Sequence, residues 1–315
     1  MAHFYNGLFF LKRIMKKIID LHTHLNTLDE FFQLRTKFQS HPNTTVSHIK
    51  HDYKVILSVA MYVQIYQDYN SLIKLIKNYK TEISSLEKVQ LILSPEDLDK
   101  DFKVGIILHV ESGRVLNDAN SQLEELYALG VRGIIPIHFK DNMIGTSCDH
   151  PLRRVGFDLK DKGLSTYGRE FVEKCNQLKI WLDLTHTTDK TADEILELAN
   201  YCMVSHIGIR DTINRKRNKS IDFYTKLSKK GGLIGITPWC HLIGDTQDSL
   251  YNTFKYGLDH GLEKSLCIGT DFGAPIKTHE TIKSIFDIGN IVDELPHSID
   301  DIRWNNAYKF LRKAL

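Results

Sequence analysis

The chain has 315 residues, 42% of them hydrophobic and 25% charged, which is apolar material enough for one sizeable core. Lys and Arg number 41 against 39 Asp and Glu, a net charge of +2, and this balance argues against a nucleic-acid or membrane partner. Five cysteines without a Cys-x-x-Cys pair build no disulfide framework and favour a reducing compartment, so a cytoplasmic location is expected.

From the start, Leu8–Leu11 is a brief apolar patch whose basic residues follow it, the reverse of a secretory signal. Residues 1–17 read as an N-terminal extension, and 18–315 as a single catalytic domain. Eight short β-branched runs then recur, at 18–21, 55–59, 104–108, 133–137, 180–184, 201–204, 233–236 and 266–269. They are nearly all apolar, as suits parallel strands covered on both faces. Between them lie apolar residues at helical spacing: Leu72, Ile73, Leu75 and Ile76; Leu123, Leu126 and Leu129, closed by Gly130; and Ile195, Leu196, Leu198 and Ala199 behind Thr188-Asp189. The alternation predicts an α/β fold, a (β/α)8 TIM barrel. The competing open, doubly wound sheet calls for a Gly-rich phosphate loop after the first strand, where this chain has His22-Thr23-His24.

In such a barrel the chemistry sits at the carboxyl ends of the strands. The first run ends in His22 and His24, the third in Glu111 and the fourth in His138. The fifth ends in His186, the sixth in His206 and the eighth in Asp271. His22 and His24, two apart on an extended segment, share a face. Imidazole nitrogen and carboxylate oxygen suit zinc and related divalent ions, and a glutamate can bridge two of them. Any one of these residues alone has a plainer reading, such as a core histidine or a capping carboxylate. Their recurrence at six strand ends points to a metal centre. His41, His48, His51, His150, His260, His279 and His297 read as surface residues, His109 as a buried barrel histidine, and His241 as within reach of substrate. The basic run Arg215–Lys219 reads by composition as a solvated loop.

Several of these segments resemble the membrane (renal) dipeptidase family, a branch of the metal-dependent amidohydrolase barrels. Gly163-Leu164-Ser165-Thr166-Tyr167-Gly168 running into Asp183-Leu184-Thr185-His186 is similar to that family's Gly-Leu-Thr-x-x-Gly and Asp-x-x-His. Ser205-His206 with Arg217 eleven residues on, Glu111-Ser112-Gly113, His138 with Asn142, and Gly269-Thr270-Asp271-Phe272 are similar to further family segments. The resemblance implies two zinc ions per chain. Glu111 would bridge them, His186 and His206 would bind one, and His22 with the residue at position 24 the other. Asp271 would contact the metal and carry the proton of the attacking water, His138 would polarise the carbonyl and bind substrate, and Arg217 and Asn142 would also contact substrate. The implied activity is cleavage of the amide bond of a dipeptide, or a similar small carboxylate-bearing molecule, by metal-bound hydroxide. The chain departs from the family pattern twice: His24 stands where the family has Asp, and Gly273 replaces the second Asp of Asp-Phe-Asp-Gly. His-x-His also suits hydrolysis of cyclic amides, lactones or phosphoesters, and deamination, and a non-catalytic metal-binding barrel is the remaining alternative. A homodimer is compatible with all of these.

Overall fold

The structure, a computed structural model, describes residues 15–25, 52–63 and 66–315. In chain order it contains β1 (Lys16–Thr23), β2 (Tyr53–Met61), α1 (Tyr69–Ser85), β3 (Val89–Leu91), β4 (Val104–Glu111), α2 (Ala119–Ala128), β5 (Val131–Ile135), α3 (Pro151–Arg154), α4 (Thr166–Leu178) and β6 (Trp181–Asp183). There follow α5 (Asp189–Leu198), β7 (Cys202–Ile207), α6 (Ile221–Lys229), β8 (Leu233–Ile236), α7 (Cys240–Ile243), α8 (Ser249–Asp259), β9 (Leu266–Ile268), α9 (Ile285–Asp293) and α10 (Asn306–Ala314). The three helical patterns read from sequence fall in α1, α2 and α5. The Gly163–Gly168 segment leads into α4, where the N-cap Ser165 Oγ accepts a bond from Gly168 N at 2.8 Å.

All strand pairs are parallel, and pairing β2 with β4 and β1 with β9 closes a ring of β1, β2, β4, β5, β6, β7, β8 and β9. Closure excludes the open doubly wound sheet. β3 is an extra strand: it pairs with Val104–Ile106 on the β4 edge that β5 takes over from Leu108 onward. The run expected at 133–137 is shifted to Val131–Ile135, because Pro136 has no N–H to give the ladder.

Two cores flank the sheet. One lies between the outer strand faces and the helices, drawing on Ile18, Val55, Leu57, Val104 and Ile106. The other joins Ile19, Leu21, Ile56, Ile107, Trp181, Met203, Leu233 and Cys267, residues of seven strands that meet only inside a barrel. Phe310, Leu311 and Ala314 of α10 belong to this inner cluster, so the last helix seals the end of the barrel at which the strands start. That leaves the opposite rim for chemistry.

Candidate metal centre

The inner cluster fixes which face of each strand points into the barrel. On β4, Ile107, His109 and Glu111 keep the two-residue alternation and bring Glu111 inward at the rim. On β1 the inward residues Ile19 and Leu21 are followed directly by an inward His22. A register shift between Asp20 and Thr23 makes the change of face. β7 repeats the device: Met203 points inward, the register shifts between Val204 and Ile207, and His206 enters the site. Asp20 pins the β1 end to the loop after β9, its Oδ2 accepting from Thr270 Oγ1 at 2.6 Å and its Oδ1 from Thr270 N at 2.9 Å. His186 (φ 72°) and Asp271 (φ 56°) both hold left-handed backbone, a local strain common at functional sites. Bonds from Cys148 N to His186 O and from Asp271 N to His22 O, each 2.9 Å, keep them there.

Glu111 lies at the centre. Its Oε1 is 3.4 Å from His138 Nε2, 3.8 Å from His22 Nε2 and 4.0 Å from His186 Nε2, and its Oε2 is 3.5 Å from His24 Nε2. Asp271 Oδ1 is 3.4 Å from His24 Nε2 and 3.8 Å from His22 Nε2. His22, His24 and Glu111 can together hold a cation, and so can Glu111, His138 and His186. Neither ring nitrogen of the fully buried His22 has a hydrogen-bond partner, an expensive arrangement unless an ion or water completes it. Burial first, then the surrounding imidazoles, hold His22 and His206 well below the usual histidine pKa, in the neutral form that binds metals.

His186 carries the clearest signature. Its Nδ1 is 2.6 Å from Asp149 Oδ2, and since a carboxylate only accepts, that nitrogen holds the proton and leaves a lone pair on Nε2. Nε2 faces His206 Nε2 at 3.1 Å. Two nitrogens about 2.0–2.1 Å from a shared ion at ordinary ligand angles lie about 3 Å apart, so this spacing fits a common metal. His206 Nδ1 is held by Ser205 Oγ at 2.8 Å. Asp149 also accepts from Arg217 Nε at 3.0 Å and Arg154 Nη2 at 3.0 Å. Burial opposes its ionisation, but Arg217, the His186 bond and Arg154 together hold its carboxyl well below the usual range.

The six metal candidates therefore converge, and His138 joins them at the mouth of a cavity of about 410 Å³ that also touches His24, Glu111, Arg217, Trp239 and Asp271. Arg217 is no solvated loop charge. It is 7% exposed, stacks 4.8 Å from the Trp239 ring centroid, and has an Nη1 without a hydrogen-bond partner. Asn142 is the exception to convergence: it does not line the cavity. Its Nδ2 donates to Pro136 O at 2.8 Å and its Oδ1 accepts from Ile144 N and Gly145 N, so it braces the loop after β5. His109 is buried as expected, 3.6 Å from Asp183, and His260 and His297 are exposed. His41, His48 and His51 lie outside the described residues. The two departures from the family pattern touch each other. A Cβ at Gly273 (φ +85°) would stand 2.5 Å from His24 O and 2.8 Å from His24 Cβ, so no side chain fits there beside the β1 end as built.

Residues 10–314 match the family of membrane dipeptidase (peptidase family M19). The chain belongs to that family. Dipeptidase 3 of Mus musculus is 26% identical over 196 residues, which are 60% of this chain and 38% of the mouse protein. An uncharacterized dipeptidase of Schizosaccharomyces pombe is 29% identical over 135 residues, 42% of this chain and 32% of the yeast protein. The match thus spans well under half the length of these relatives. Among solved structures, a metallopeptidase from Rhodobacter sphaeroides liganded with a phosphinate mimic of the dipeptide L-Ala-D-Ala superposes with a TM-score of 0.79 at 16% identity, covering 96% of this chain and 100% of that one. An amidohydrolase from Pseudomonas aeruginosa gives 0.76 at 20% identity, over 96% and 97%. Both share the fold.

Proposed function

We propose that this membrane-dipeptidase family member is a dinuclear zinc hydrolase that cleaves the amide bond of a dipeptide or a similar small substrate with a free carboxylate. The observation that carries the reading is Glu111, one carboxylate directed at imidazoles on both of its sides. Glu111 would be shared between two ions, His22 and His24 would hold one, His186 and His206 would hold the other, and Asp271 would add its carboxylate. Imidazole and carboxylate donors are those zinc prefers. When bound, such ions polarise a carbonyl and make a water nucleophilic at neutral pH.

The protein's own groups do the rest. Asp271 takes the proton of the attacking water and passes it to the leaving amine. His138, with its side chain 12% exposed at the cavity mouth, donates to the oxygen that gains charge. Arg217 clamps the substrate carboxylate, satisfying the donor that the protein leaves unpartnered. The family relatives named dipeptidases, and the neighbour solved with a dipeptide mimic, support the substrate class.

A panel of dipeptides incubated with the zinc-loaded protein tests this. Turnover is expected on part of the panel, with Arg217→Ala raising KM by about tenfold or more and changing kcat less. No turnover on any dipeptide would overturn the reading, and an unaltered KM would remove the carboxylate anchor.

A further inference from the structure

A second cavity, of about 530 Å³, lies behind the arginine that anchors the substrate and shares Arg154, Arg217 and Trp239 with the catalytic cavity. Its wall is strongly basic. Arg154, Arg215, Lys216 and Arg217 face it, and Asp149 is its sole carboxylate among the described residues. Both oxygens of Asp149 are already engaged, Oδ2 by His186 and Arg217 and Oδ1 by Arg154. Arg153 also lines the wall, but it is paired with Asp141 and with backbone carbonyls. Arg215 and Lys216 make no ion pair among the described residues, and Arg215 Nε is tied to His241 O at 3.0 Å, which holds its guanidinium at the wall. His241, at the same wall, has its pKa lowered first by burial and then by the charges of Arg215, Arg217 and Arg154. So many cations around one satisfied carboxylate repel one another until an anion enters.

We propose that this second cavity is an anion subsite, so that preferred substrates carry an acidic side chain, or an equivalent anion, on the residue whose carboxylate Arg217 anchors. The inference rests on the amide-hydrolase reading above and deepens it from dipeptides in general to dianionic ones. Asp and Glu side chains are small beside the space available, and continuity through Arg217 places the side chain of a clamped residue at the basic wall.

The test compares kcat/KM of the zinc-loaded protein for matched dipeptides ending in Asp against Asn and in Glu against Gln. The acid member should be favoured by about tenfold, and raised ionic strength should shrink that ratio. In the double variant Arg215→Ala/Lys216→Ala, both exposed positions, the acid-to-amide ratio should fall towards one. Equal rates for acid and amide in the wild type overturn this proposal while leaving the dipeptidase reading intact. A preference that survives the double variant overturns its assignment to this cavity. Cleavage of neither series overturns both.

Discussion

Asp149 shows how one side chain can tie the candidate metal centre to the proposed substrate clamp, Arg217. It holds the proton of His186 on Nδ1 and also fixes the Arg217 guanidinium. Carboxylates that orient metal-bound histidines in this way typically affect affinity 10–100-fold when removed, so Asp149→Asn should weaken zinc binding by roughly that factor in a competition titration. Unchanged affinity in a folded variant would contradict this role. The same residue has an acid signature. Its carboxyl is depressed on folding, so its stabilisation is present above about pH 4 and lost as the pH falls below that. Asp149→Asn should flatten the dependence of stability on pH in that acid range, measured by denaturant unfolding. The metal candidates were legible in the sequence because each follows a strand that could be read. Asp149 was not, since nothing distinguishes it from Asp141, Asp158 or Asp161 in the same loop.

At the scale of elements, the site depends on strands that break their own period. The bulges in β1 and β7 re-aim His22 and His206, and close packing around β7 maintains the second. A Cβ on Gly269 would lie 1.6 Å from Ser205 O, the carbonyl just before His206. Gly269→Ala must therefore push β7 away, at a cost of about 3 kcal/mol, or about 5 °C in melting temperature for a chain of this size. Wild-type melting of that variant would contradict the packing described. Eight strand runs could be read because buried parallel strands are continuous apolar stretches. That same uniformity hid the bulges, since a strand apolar on both faces shows no alternation to break. β3 escaped because Val89-Gln90-Leu91 is too short and too half-buried to stand out.

The whole molecule divides its labour between the two ends of the barrel. α10 seals one end with apolar side chains, while the other gathers imidazoles and carboxylates suited to a cation, among them the buried His22 ring, whose nitrogens have no hydrogen-bond partner. The barrel followed from the alternation of strands and helices, but the sealing role of the last helix depends on contacts with strands far away in sequence. By binding linkage, an ion held at this rim would stabilise the fold by about 4 kcal/mol at a thousandfold excess over Kd. Chelation should lower the melting temperature and zinc should restore it; a melting temperature indifferent to both would mean that the rim does not hold metal. The most direct test of the central claim is dipeptide turnover by metal-depleted protein titrated with zinc. Negligible activity is expected without metal, rising to a plateau at about two ions per chain. Activity that survives depletion, or a plateau at one ion, would contradict it.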